Sequence, residues 1–182
     1  FTDVTAGAWY YDAALYAYGK GLMVGTSDTA FGPNVPMTRA MLVAVLHRLA
    51  GSPSVSGKMP FTDVEADTWY TEAVLWAYQN DIVAGTSDTT FEPLSNITRE
   101  QIVAIFSRYT AKFAPDKAKA AAELTGFADS ASVAGWAVDD MKWAVAQKII
   151  GGRENGGRLY LAPQGNASRA EVATILMQYC AL

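Results

Sequence analysis

Cysteine, histidine and long apolar runs are all scarce in this chain, and each shortage removes a class of function. Cys180 is the single cysteine among 182 residues, so no internal disulfide forms and no CxxC redox or zinc motif is available. Close to the end of the chain, it reads as a buried apolar filler rather than a nucleophile. His47 is the single histidine. With no Ser/His/Asp set, HExxH or phosphate-cradling glycine loop beside it, it reads as a packed or solvated helix residue. Neither a catalytic residue nor a cofactor is expected. No stretch approaches the roughly 20 apolar residues of a membrane span, so membrane insertion is not expected. Cations are in deficit, 14 Lys and Arg against 18 Asp and Glu, for a net charge of −4. The basic stripe that nucleic acid requires is therefore missing. No secretory leader is visible at Phe1; we read the chain as an excised segment, which leaves export of its parent open.

What is present is core-forming, with 51% hydrophobic and 18% charged residues, and it repeats. Shifting the chain by sixty places lays residues 1–50 on 61–110, and roughly 23 of those 50 positions agree. FTDV stands at 1 and 61, with FADS at 127; Trp9, Trp69 and Trp136 follow. GTSDTAFGP (25–33) matches GTSDTTFEP (85–93), and the third copy has the longer GGRENGGRLYLAP (151–163). Units of 1–52, 61–112 and 127–182 result, with connectors 53–60 and 113–126. Such a unit is small for an independent core, so one cooperative body is expected rather than three beads.

Each unit reads as helix, loop, helix, and the class as mainly all-α. Tyr10, Ala14, Leu15, Tyr18 and Leu22 recur at helical spacing, as do Leu42, Val45, Leu46 and Leu49, each set marking a core-facing stripe. Between them lies a loop of turn-forming residues, with a short extended piece possible near Phe31 or Phe91. The connector AKFAPDKAKAAAEL (111–124) is expected to be partly helical from its Ala, Lys and Glu content. TSDT lacks the alternating acids of a calcium loop, and no metal site is expected.

The pattern F-x-D-V, then Trp and an Ala-rich helix, then G-x-x-D-x-x-F-x-P, then T-R-A-E opening a second helix, resembles the S-layer homology domain over essentially the whole chain. The resemblance implies a monomeric pseudo-threefold body with a central three-helix bundle. It also implies non-covalent anchoring of a secreted protein to a Gram-positive-type cell wall. The implied partner is a cell-wall polysaccharide, often pyruvylated on N-acetylmannosamine, held in grooves between units. Candidate contacts are Arg39, Arg99 and Arg169, with Gly25, Gly85, Gly151, Trp9, Trp69, Trp136, Asp28 and Asp88 around them. A protein–protein assembly module is the alternative. TRAE stands here as TRAM, TREQ and SRAE, and the third loop lacks the Ser-Asp pair, so the third site is the one expected to be altered.

The arginines pose a physical question. Thr38, Thr98 and Ser168 are good N-caps, and Gln101 and Glu171 complete capping boxes that Met41 cannot. An arginine at the next position sits beside the positive end of the helix dipole, which is mildly unfavourable. Two arrangements make it sensible. Either Asp3, Asp63 and Asp129 pair with the arginines, or an outside carboxylate shares guanidinium and helix-end amides. The tryptophans read more readily as core wedges than as sugar platforms, and Asp28 and Asp88 more readily as turn organisers than as contacts. Gly25 and Gly85 serve either a left-handed helix cap or close approach of a ligand.

Overall fold

The computed structural model describes residues 1–182 and is built mainly from helices. Each unit supplies two: α1 (Tyr11–Gly19) and α2 (Arg39–Leu49), α3 (Thr71–Gln79) and α4 (Arg99–Phe113), α5 (Val138–Ala146) and α6 (Arg169–Cys180). No helix is long and apolar enough to cross a membrane. The first helices open two residues after their tryptophans without a side-chain cap. The second helices open on Thr38, Thr98 and Ser168, whose hydroxyls accept from the amides of Met41, Gln101 and Glu171. Capping boxes form at Gln101 and Glu171.

Each first helix packs on a second helix from another unit: α3 on α2, α5 on α4, and α1 on α6. The buried face of α1 is Ala13, Ala14 and Ala17. Leu15 and Tyr18, assigned to that face by spacing, are exposed. Alanines let two helix axes approach more closely than leucine or tyrosine would, and that close approach selects them here. The stripe on α2 is buried at Leu42, Val45 and Leu46, with Leu49 partly covered. One core cluster of 44 buried residues runs through all three units, which separately folded beads would not share.

Main-chain hydrogen bonds close the units into a ring. Met37 N–H donates to Ala167 O (2.8 Å), Ile97 N–H to Met37 O (2.9 Å) and Ala167 N–H to Ile97 O (3.4 Å). All three residues are fully buried. The helix mouths are closed in the same cyclic sense. Arg39 and Ala40 N–H donate to Ser95 O and Pro93 O, Arg99 and Glu100 to Gly165 O and Pro163 O, and Arg169 and Ala170 to Val35 O and Pro33 O. The amides expected to receive an anion are thus already covered by carbonyls of another unit's loop. Those carbonyls are the negative partners that each helix end needs.

The carboxylates of the FxD motifs do not pair with the arginines. Asp3 accepts from Phe31 and Gly32 N–H, Asp63 from Phe91 and Glu92, and Asp129 from Leu161 and Ala162, at 2.7–2.8 Å. Each ties the start of a unit to its own loop. Within the loop the turn is held by Ser27 Oγ, which accepts from Thr29 and Ala30 N–H, and by Ser87 Oγ in the second copy. Asp28 and Asp88, expected to organise this turn, are exposed and make no hydrogen bond. Serine suffices because its oxygen already reaches both amides. The extra residues of the third loop form an antiparallel hairpin, β1 (Arg153–Asn155) with β2 (Arg158–Tyr160). Its two-residue turn, Gly156-Gly157, has both φ angles positive, the geometry that matches strand twist.

Of three smaller expectations, only that of a buried Cys180 changes. Helix α4 runs through Phe113 and Pro115–Ala118 forms a single 3-10 turn, but Lys119–Leu124 is irregular. Proline lacks the N–H needed to carry an α-helix on. Cys180 is exposed rather than buried, on the outward side of the last turn of α6. His47 is packed: its Nε2 meets Pro53 O at 2.8 Å and its ring lies 5.2 Å from that of Trp76.

Asp63→Ala is expected to lower the unfolding free energy by about 3 kcal/mol, since two charge-assisted hydrogen bonds are worth about 1.5–3 kcal/mol each and this site is partly solvated. Urea denaturation checks it; a change below about 0.5 kcal/mol would be that of an ordinary surface substitution.

Candidate functional site: three grooves at the helix mouths

Each of the three second-helix mouths borders a groove, and each groove draws residues from all three units. The first, about 420 Å³, joins Gly25 and Met41 from unit one, Trp69 from unit two and Arg169 from unit three. The second, about 260 Å³, joins Gly85 and Gln101 with Trp136 and Arg39. The third, about 800 Å³, joins Gly151 and Glu171 with Trp9 and Arg99. All the candidate arginines, glycines and tryptophans are thus brought together in threes. Asp28 and Asp88 line none of these grooves.

The arginines are not free cations. Arg39, Arg99 and Arg169 are only 9%, 4% and 5% exposed, and each spends its Nε on a carbonyl of another unit. The acceptors are Phe91 O (2.8 Å), Leu161 O (2.7 Å) and Phe31 O (2.8 Å). The N–H groups of the same peptide links, those of Glu92, Ala162 and Gly32, donate to Asp63, Asp129 and Asp3. A second guanidinium nitrogen of Arg39 donates to Ala84 O at 3.2 Å, and one of Arg169 donates to Val24 O. Their guanidinium carbons lie 4.5 and 4.8 Å from the ring centres of Phe91 and Phe31, within cation–π range.

One edge of each guanidinium still meets solvent. Nη1 of Arg39 and of Arg169, and Nη2 of Arg99, make no hydrogen bond within the chain. No buried side-chain nitrogen or oxygen lacks a partner, so these nitrogens reach the groove. Arg99 differs. Leucine replaces phenylalanine at 161, and Arg99 Nη1 instead donates to Glu171 Oε1 at 2.9 Å. Arg153, from the extra hairpin, grips the same carboxylate with Nε and Nη2, both at 2.8 Å. The arginine neutralised by the chain's own acid is therefore Arg99, on the second unit, opposite the altered third loop. Arg169, the arginine of the third repeat, serves the first groove.

Electrostatics separate the grooves further. Burial lowers the proton affinity of Arg39, Arg99 and Arg169, although a guanidinium stays charged at neutral pH. In the first groove Arg48 lowers Arg169 further, because two cations share the cleft with no carboxylate lining it. The second is likewise lined by two arginines, Arg39 and Arg108, and no carboxylate, while Glu92 and Asp63 partly offset the effect of burial on Arg39. In the third, Arg99 and Arg153 face Glu154 and Glu171, and the charges balance.

The tryptophans are not core wedges. Trp9, Trp69 and Trp136 are 67%, 56% and 57% exposed, each forming a wall of a groove. In the first two units the following tyrosine packs inward, edge-on to the indole. Gly25 and Gly85 are not left-handed caps either. A Cβ on them would come within 2.7 Å of Phe1 and 2.6 Å of Phe61 ring carbons, so glycine is required for the backbone to pass these rings. In the third unit Gly152, at φ +80°, takes that place against Phe127, while a Cβ on Gly151 would meet nothing. The alignment is shifted by one residue there.

Sequence reading missed the groove floor. It is one face of each second helix: Met41, Ala44, Val45, Arg48; Gln101, Ala104, Ile105, Arg108; Glu171, Thr174, Ile175, Gln178. The i, i+3, i+4, i+7 spacing marks a single helical face, and Arg48 and Arg108 recur at the same place in the repeat. That signal was legible beside the core stripe. Elsewhere, no group of three or more His, Cys, Asp or Glu side chains is placed to hold a metal ion.

Comparison with known proteins agrees with the repeats. The S-layer homology domain family model matches residues 1–40, 60–103 and 126–173. An amylopullulanase of Thermoanaerobacterium thermosulfurigenes is 31% identical over 92% of this chain. An endoglucanase of Bacillus sp. (strain KSM-635) is 29% identical over 97%, and a surface-layer 125 kDa protein of Lysinibacillus sphaericus is 30% identical over 85%. The chain spans only 9%, 18% and 13% of the lengths of these relatives, and the two with enzyme names match it through this region alone.

The carboxylate of Glu171 gives a pH test. Burial raises its proton affinity, but Arg153, the Ser168 N–H and Arg99 together hold it below its ordinary value of 4.5. Its stabilisation is therefore complete at neutral pH and is lost only as pH falls through the lowered folded value. Glu171→Gln is expected to cost about 1.5–3 kcal/mol at pH 7, with the difference vanishing well below pH 4.5. Thermal melts across that range check it; a difference that persists in acid would contradict the ion-pair origin.

Proposed function

The chain belongs to the S-layer homology domain family, a surface-anchoring module, and we propose that it holds its parent protein to the cell wall through an anionic polysaccharide. The observation that carries this reading is the first and second grooves. Each presents two arginines, a free guanidinium edge and an exposed tryptophan, with no carboxylate in the lining. A pyruvyl ketal on an amino sugar supplies the matching group: a planar carboxylate on a sugar ring with an apolar face. The carboxylate meets the arginine pair, and the ring lies on the indole.

The energetics suit attachment better than chemistry. One charge-assisted contact contributes about 1.5–3 kcal/mol, and the closed helix mouths add nothing to it. Two such grooves on one chain meeting a repetitive polymer raise avidity about 10²–10⁴-fold. Relatives with enzyme names and one with a surface-layer name share this region, as expected of an attachment module indifferent to its cargo. We further propose a monomeric pseudo-threefold arrangement in which α2, α4 and α6 surround the ring of Met37, Ile97 and Ala167, with unit boundaries at the sequence repeats. The cyclic hydrogen bonds support that reading. The parent would then be a secreted protein of a Gram-positive-type envelope.

Arg39 and Arg169 hold the fold as well as the groove, so substituting them confounds binding with stability. Arg108 makes no hydrogen bond or ion pair, and Trp69 and Trp136 are exposed. Replacing Arg108, Trp69 and Trp136 by alanine is expected to reduce co-sedimentation with purified cell walls about 10²-fold or more, while the melting temperature is unchanged. Chemical removal of the wall polysaccharide should abolish binding of the unaltered chain. Binding that survives that removal would overturn the glycan reading in favour of a protein partner.

A further inference from the structure

The third groove has the same construction as the others but a different chemical content. Its arginine meets a carboxylate already, and that carboxylate is saturated. Glu171 Oε1 accepts from Arg99 Nη1 and Arg153 Nε, and Oε2 accepts from Arg153 Nη2 and the Ser168 N–H, all at 2.8–2.9 Å. Four donors around one planar carboxylate, two of them from one guanidinium in parallel, is the full set that a bound carboxylate takes. At the equivalent place the first groove has the thioether of Met41, and the second has the amide of Gln101, whose oxygen accepts from Thr98 N–H. Neither competes for a guanidinium.

We propose that Glu171 occupies the anion position of the third groove, so that this groove excludes the charged sugar and receives an uncharged one. This rests on the glycan reading of the first two grooves. The cleft has room for a sugar ring. This groove has the largest volume of the three, about 800 Å³, and its tryptophan, Trp9, is the most exposed of the three at 67%. The lining charges cancel, and a second carboxylate would meet Glu154 and Glu171 with no excess positive charge to offset the repulsion. The extra hairpin has a clear role on this account. It delivers Arg153, which fixes Glu171 in place. The three repeats then divide the polymer between them, two grooves for acidic residues and one for a neutral neighbour.

The test is a titration of the whole 182-residue chain followed by the indole N–H signals of Trp9, Trp69 and Trp136. Two probes are used: N-acetylmannosamine carrying a pyruvyl ketal, and plain N-acetylmannosamine. The ketal is expected to shift Trp69 and Trp136 with at least tenfold higher affinity than Trp9, and plain sugar to shift Trp9. In Glu171→Gln, which reproduces the second groove's residue, the ketal should gain at least tenfold at Trp9. A Trp9 response to the ketal equal to the other two in the unaltered protein overturns the proposal and leaves the anchoring reading standing. So does an unresponsive Trp9 with plain sugar, or no gain in the variant. Silence of all three tryptophans toward both sugars overturns the anchoring reading itself.

Discussion

In each loop one peptide group, linking residues 31–32, 91–92 or 161–162, is held from both sides, and the rest of the molecule is arranged around that grip. A carboxylate of the same unit takes its N–H, and a guanidinium of a different unit takes its C=O. The arrangement puts a buried cation and a partly buried anion on opposite ends of a peptide dipole, where each is stabilised without touching the other. It explains how an arginine tolerates the first position of a helix. The neighbouring loop brings several carbonyl oxygens to that spot, and the guanidinium and the helix-end amides are satisfied together.

The same contact makes the grooves composite. Because the arginine comes from one unit, the glycine from another and the tryptophan from the third, no groove exists in a single repeat. Folding and site assembly are one event. Three near-copies of a sequence have also been free to diverge at the fourth wall, where Met41, Gln101 and Glu171 stand. The hydroxyl cap bonds the N3 backbone amide at Met41, Gln101 and Glu171 alike, so this position can change the groove's charge without losing that bond.

Much of this was legible from the residues. The repeats, the helix–loop–helix order and the hydroxyl caps all follow from spacing, while the candidate arginines, glycines and tryptophans were marked as a set by the family resemblance. What spacing could not give was partnership between units. FxD and TR recur together, which suggested direct Asp–Arg pairing, but a peptide group stands between them. Tryptophan in a repeat looks like core, yet alanines on α1 already fill the contact with α6. The altered third loop was visible, but not that its arginine partner would come from the second unit. Sequence order hides such exchanges, because the contact lies 72 residues away along the chain.

The central claim is that three units fold as one body closed through their helix mouths. Hydrogen exchange of the Met37, Ile97 and Ala167 amides under native conditions tests it most directly, since these three donors form the ring. If the claim holds, all three exchange only through complete unfolding, with one shared free energy that equals the global value. If one of them exchanges through a smaller opening confined to its own unit, the units are separable and the account is wrong.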